Sequence, residues 1–240
     1  MPAQGPWQIQ QVMLQRVADA LGAELLREVA FVGGCTTGLL ITDDASREAV
    51  RLTDDVDLIV HVLGPGNWYR LQQVLAGKGF RTSPEDDVIC RMRLRDGNRT
   101  ELIVDFMPDD PGILGFGNRW YADALRAAGD HALPGGTVIR VVAPAHFLGT
   151  KLEAFRGRGN NDPLASRDVE DILNVVDGRA SLVEEVRLAP PALRADIAAG
   201  IGGLLAHRDF DYAVQAAARN NHQREELVFQ RLDAIAAFNR

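Results

Sequence analysis

The segment Thr53-Asp54-Asp55-Val56-Asp57-Leu58-Ile59-Val60 constrains this chain more than any other stretch. Its apolar residues suit a buried strand, and side chains two apart on a strand point the same way. Val56 and Leu58 therefore face a core, while Asp55 and Asp57 share the opposite face and Asp54 points away from them. Two carboxylates about 4 Å apart repel by on the order of 4 kcal/mol at an effective dielectric of about 20. A divalent cation between them removes that cost, and Mg²⁺ is the usual hard ion for oxygen ligands.

A third carboxylate fits the same logic. In Leu102-Ile103-Val104-Asp105-Phe106 one aspartate is embedded in an apolar strand. Such a residue is costly unless it meets a cation or a hydrogen-bond donor. If this strand lies beside the first, Asp55, Asp57 and Asp105 converge as metal ligands, the set that two-metal phosphoryl chemistry needs. The alternative partner for Asp105 is Arg91 or Arg93 across a hairpin. Arg91, Arg93 and Arg95 alternate with Met92 and Leu94 and line one strand face. That row either holds a triphosphate or nucleic-acid backbone, or pairs across the sheet with residues such as Glu101.

Phe31-Val32-Gly33-Gly34 leads from a strand into a short helix. Glycines let the backbone approach a phosphate, and helix N-terminal N–H groups can hold it. Thr36 or Thr37 could add a hydroxyl; an ordinary tight turn is the competing reading. Further on, Lys151 sits one helical turn before Phe155 and offers a compact point charge for a triphosphate, or a surface charge on a packed stem. Asp168 and Asp171 share a helix face. One could orient Lys151 or a base and the other cap the helix, or both could simply favour the dipole of a first helical turn.

The expected architecture is α+β: a mixed-sheet core over residues 1–143, followed by a helical C-terminal region, 144–240, that completes the site. Helices are expected over 8–29, 68–77, 119–128, 143–155, 167–177, 180–188, 190–206 and 222–238. Strands are expected at 30–32, 53–63, 88–95, 99–106 and 138–142. Asp96-Gly97-Asn98 joins the hairpin, and residues 43–51 and 156–166 read as loops. Cys35 and Cys90 read as buried small apolar residues, and the five histidines lack metal-ligand spacing.

Composition narrows the function. With 26 Lys+Arg against 33 Asp+Glu, the net charge is -7, so the whole surface is not built to grip a polyanion. No apolar run nears the ~18 residues that span a bilayer. The start, MPAQGPWQIQQVM, lacks the pattern of a secretion signal, so cytoplasmic residence is expected. Serine hydrolase, zinc protease and Walker-type motifs are absent.

Gly33-Gly34, then Arg51-x-Thr53-x-Asp55-x-Asp57, then Asp105 on a neighbouring strand resembles the nucleotidyltransferase superfamily with the polymerase-beta-like fold. Adding Lys151 in KLEAFRGR and Arg167-Asp168-x-x-Asp171-Ile172, the chain is most similar to the AbiEii-type (abortive-infection, type IV toxin) branch over roughly residues 30–175. The resemblance implies an Mg²⁺-dependent enzyme that transfers NMP from a nucleoside triphosphate to an acceptor, tRNA in a toxin-like case, with an antitoxin protein as partner. It implies that Gly33, Gly34, Thr36, Thr37, Arg51, Thr53 and Lys151 meet the nucleotide. Asp55, Asp57, Asp105, Lys151, Asp168 and Asp171 would serve catalysis. Transfer to a small molecule or protein, and a non-catalytic nucleotide- or partner-binding relative, are the alternatives.

Overall fold

The structure, a computed structural model, describes residues 5–95, 97 and 100–239. Of the turn expected at Asp96-Gly97-Asn98 and the strand start expected at Arg99, only Gly97 lies within the described residues. Along the chain the elements are α1 (Pro6–Glu28), β1 (Val29–Val32), α2 (Thr37–Leu40), α3 (Asp44–Arg47), β2 (Asp55–Val60), α4 (Pro65–Gly77), β3 (Phe80–Arg81), β4 (Arg91–Leu94) and β5 (Leu102–Pro108). There follow α5 (Tyr121–Arg126), β6 (Gly129–Ala132), β7 (Val138–Val141), α6 (Pro144–Arg158), α7 (Arg167–Gly178), α8 (Leu182–Leu188), α9 (Pro191–Leu205), α10 (Phe210–Ala217) and α11 (His222–Ala236). The protein is α+β, with a mixed sheet of seven strands and a helical C-terminal part. The chain groups into two compact units: Met1–Thr36 with Arg51–Ala143, and Thr37–Val50 with Pro144–Arg240.

The first unit holds the sheet, in the order β3-β4-β5-β2-β1-β7-β6. β2 runs antiparallel to β1 and parallel to β5, so its expected neighbour is its actual one. The pairing sets Asp57 opposite Asp105 and Val56 opposite Val104. One face is apolar: Val56, Leu58, Val104 and Phe106 are wholly buried, and the Phe80 ring meets Phe106 edge-on at 5.2 Å. β2 begins at Asp55 rather than Thr53, because Thr53 turns its hydroxyl onto the Asp55 carbonyl. β3, with two residues, is too short to show an alternation in sequence. Gly22 interrupts α1 with φ 72°, a value helices do not tolerate.

The second unit is built on amphipathic helices. In α7, Ser166 caps the first turn by accepting from Val169 N–H, and Val169, Ile172, Leu173, Val175 and Val176 form the buried face. The stretch 43–51, expected as loop, contains the one-turn α3, because the Asp43 carboxylate accepts from Ser46 N–H at 2.8 Å and fixes its start. α6 runs on to Arg158, past the expected end at Phe155, with Arg156 and Arg158 in its last turn where the helix dipole favours cations. α10, unforeseen, buries Phe210, Ala213 and Val214 with eight residues, too few to repeat a helical period convincingly.

The grouping of Thr37–Val50 with the later helices rests on the C-terminal end of α7. The Gly178 carbonyl accepts N–H bonds from Thr42 (2.9 Å) and Asp43 (3.0 Å). A Cβ at Gly178 would lie 2.6 Å from Ile41 Cγ2 and 2.9 Å from Ser46 Cβ, so the contact admits only glycine. Gly178→Ala is expected to lower stability by about 1–3 kcal/mol through overpacking, read as a lower urea midpoint. A wild-type midpoint would overturn this packing.

Candidate functional site

The alternation in β2 and the register with β5 bring three carboxylates together. Asp55, Asp57 and Asp105 each offer an oxygen, and these oxygens lie within 4.8 Å of one another. Asp55 and Asp57 are half-buried and Asp105 is buried. The donor set, hard anionic oxygens at close range, could hold a metal ion.

Gly33 makes the geometry possible. It follows Val32, whose partner across the sheet is Asp57, and it adopts φ 77°. A Cβ there would stand 1.8 Å from Asp57 Oδ2 and 2.6 Å from its Cγ. The glycine thus leaves the space that the Asp57 carboxylate fills. The turn is closed by Thr36, which donates both its N–H (3.1 Å) and its hydroxyl (2.8 Å) to the Gly33 carbonyl. Gly33, Gly34, Thr36 and Thr37 are all buried. The Thr36 hydroxyl is thereby engaged within the turn, whereas Thr37 Oγ1 is buried without a hydrogen-bond partner among the described residues. Arg51 is half-buried, with its carbonyl accepting from Gln10 Nε2 at 2.8 Å, and Thr53 is buried.

Both thiols adjoin this cluster and stay protonated. Burial, with Asp57 and Asp55 adding negative charge, pushes the Cys35 thiol far above its ordinary range despite a hydrogen bond with Thr53. Burial and the Asp105 charge push Cys90 up to about 12. At neutral pH neither is a thiolate.

The arginine row is closely paired. Arg91 holds Asp105 with two bonds, Nε to Oδ1 at 2.9 Å and Nη2 to Oδ2 at 2.8 Å, and Nη2 reaches within 3.9 Å of Asp55 Oδ2. Both readings of Asp105 therefore coexist: it pairs with Arg91 and it belongs to the carboxylate cluster. Arg93 engages Asp86 and Glu101, and Arg95 engages Glu101. These bonds hold Asp86 and Glu101 below the usual carboxylate range.

In the second unit, Lys151, Asp168 and Asp171 form one buried network. Lys151 Nζ donates to Asp171 at 2.7 Å and to Asp168 at 3.1 Å. Arg158, two helical turns beyond Lys151, adds two bonds to Asp168 at 3.0 and 2.9 Å. Sequence reading had not assigned Arg158 to Asp168; the seven-residue spacing that puts it on the Lys151 face was the available signal. The Lys151 side chain is only 8% exposed, with its ammonium held by Asp168 and Asp171. A separate cavity of about 220 Å³ in this unit, lined by residues including Ser46, Asn174, Asp177 and Arg224, contains none of the expected site residues.

No family model matches the chain, and no curated protein matches it. No helix among the described residues is long and apolar enough to cross a membrane.

Two outcomes test this geometry. Gly33→Ala should displace the Asp57 carboxylate and weaken Mn²⁺ binding by calorimetry roughly tenfold or more, about 1.4 kcal/mol; unaltered binding would disprove the cradle. In the second unit, burial would raise the Asp168 carboxyl, but Arg158 and Lys151 outweigh it and hold the group below 3.8. Its stabilising contribution is therefore complete above about pH 4 and drains as pH falls through the lowered folded value. Asp168→Asn should flatten the acid-side fall in unfolding free energy, and an unchanged slope would refute that role.

Proposed function

We propose that the protein is an Mg²⁺-dependent nucleotidyltransferase that passes NMP from a nucleoside triphosphate to an acceptor. The observation that carries this reading is the convergence of Asp55, Asp57 and Asp105 on one sheet face against the side-chain-free Gly33. Bound there, the metal would neutralise the charge that develops on the phosphates in transfer. Asp55 and Asp57 would hold it from adjacent turns of the pleat. An acceptor hydroxyl would form a bond to the α-phosphorus as the bond to the bridging β-phosphate oxygen breaks, releasing pyrophosphate. Asp105 would receive the hydroxyl proton once released from Arg91. Backbone groups at Gly33-Gly34 are the candidates to approach the triphosphate. The motif resemblance to the AbiEii-type branch supports the same class, and a cytoplasmic setting rich in nucleoside triphosphate suits it.

For the acceptor, tRNA follows from that resemblance. A small molecule or protein is favoured by a separate observation. The arginine row that could hold a nucleic-acid backbone is already matched with carboxylates: Arg91 with Asp105, Arg93 with Asp86 and Glu101, and Arg95 with Glu101.

Incubation with each labelled NTP, Mg²⁺ and either total tRNA or a metabolite pool tests both points. Transfer is expected, and Asp57→Ala should reduce it by about a hundredfold or more. Label transfer that survives in the variant would sink the assigned mechanism. The pool that accepts the label decides the acceptor class.

A further inference from the structure

Arg91 differs from its neighbours in the row. The partner set of Arg93 includes Asp86 and Glu101, outside the carboxylate cluster. The hydrogen-bond and ion-pair partners of Arg91 among the described residues are Asp105 and Asp55, both within it. The residue stands opposite Asp105 in the β4–β5 register, so the backbone pairing itself aims the guanidinium at the cluster.

We propose that Arg91 is a built-in counter-cation that makes the site take a divalent ion tightly only when the ion arrives with a polyphosphate. The inference rests on the function proposed above and concerns the loading of the same site. Arg91 partly neutralises Asp105 and Asp55 before any ion enters. A bare cation must compete for Asp105, each of whose oxygens already accepts an N–H, and must sit near a fixed positive charge. A cation carrying a polyphosphate changes both terms. The phosphate oxygens bring negative charge, and a pair of them offers acceptors that an arginine fork binds bidentately, as it binds a carboxylate. Arg91 can then transfer its bonds from Asp105 to phosphate, freeing Asp105 toward the cation. The coupling is reciprocal: cation promotes polyphosphate binding by the factor with which polyphosphate promotes cation binding. Arg91 is on this account a positioning residue, acting through Asp105 and the phosphate.

The test compares, on the full chain by calorimetry, the dissociation constants of Mn²⁺ alone, tripolyphosphate alone and the preformed Mn²⁺–tripolyphosphate complex. Wild type should bind the complex at least about tenfold more tightly than either component. Arg91→Gln should bind Mn²⁺ alone about tenfold more tightly than wild type and should lose the advantage of the complex. Unchanged or weaker Mn²⁺ binding by a variant with a wild-type circular dichroism spectrum would overturn the proposal. Should Arg91→Gln not fold, Arg91→Lys keeps the charge and removes the fork; its complex must then bind more weakly than in wild type, and equal binding overturns the proposal. The wild-type comparison needs no variant, and equal affinity for Mn²⁺ with and without tripolyphosphate overturns the proposal by itself. If the binding pattern holds and no nucleotide is transferred to any acceptor, the transferase reading falls and the role of Arg91 stands. If transfer occurs without the pattern, the reverse follows.

Discussion

Like charges held together on one face of a sheet are the constraint around which the first unit is organised. Asp57 faces Asp105 in register and shares its strand face with Asp55. Each such contact costs on the order of 4 kcal/mol at about 4 Å and an effective dielectric of about 20. The strands nevertheless stay paired because the opposite face is wholly apolar. Val56, Leu58, Val104 and Phe106 are all fully buried, and burial of such side chains contributes about 1.5–3 kcal/mol each. The repulsion is thus borne by a core that does not depend on the site. Gly33 then removes the one side chain that would collide with Asp57, and Arg91 supplies part of the missing positive charge.

The two units treat buried charge differently. In the second, Lys151 and Arg158 meet Asp168 and Asp171, so cations and anions are equal in number and each carboxylate has a donor. The charges of that network stabilise one another above the acid range. In the first, three carboxylates converge on one sheet face, with Arg91 paired to Asp105 and close to Asp55. A buried network of cations and anions holds a structure together, whereas converging carboxylates at a half-buried position attract a cation. This contrast, more than the motif spacing, separates Asp55, Asp57 and Asp105 from Asp168 and Asp171 as candidates for metal binding.

How far the sequence was legible depended on the range of the signal. Asp55 and Asp57 could be placed on one face from a period of two, and Asp105 stood out as a charge in an apolar run. Whether Asp105 met a cation site or Arg91 was undecidable along the chain, because register decides it, and the register turned out to allow both. Thr36 looked like an available hydroxyl and the resemblance put Thr53 at the nucleotide; Thr36 closes the Gly33 turn and Thr53 supports the entry to β2. A side chain's usefulness to a ligand depends on which backbone carbonyl lies nearer, and sequence does not say. The attachment of Thr37–Val50 to the second unit was invisible for a similar reason: the Gly178 carbonyl that holds it lies 136 residues beyond Thr42. Short elements such as β3 and α10 carried too few residues to display a period.

The net charge of -7 takes on a different meaning with these pairings in view. A nucleic acid that drew on Arg91 or Arg93 in the first unit would compete with the carboxylates already bound to them, and those carboxylates would face the incoming phosphates. A nucleoside triphosphate that arrives with its own cation meets a smaller obstacle. It needs to displace Arg91 alone, and the carboxylates so released gain the cation as their new partner. On the proposed function, the pairing of Arg91 with Asp105 and Asp55 suits a compact polyanion bound through metal better than an extended one bound through arginine.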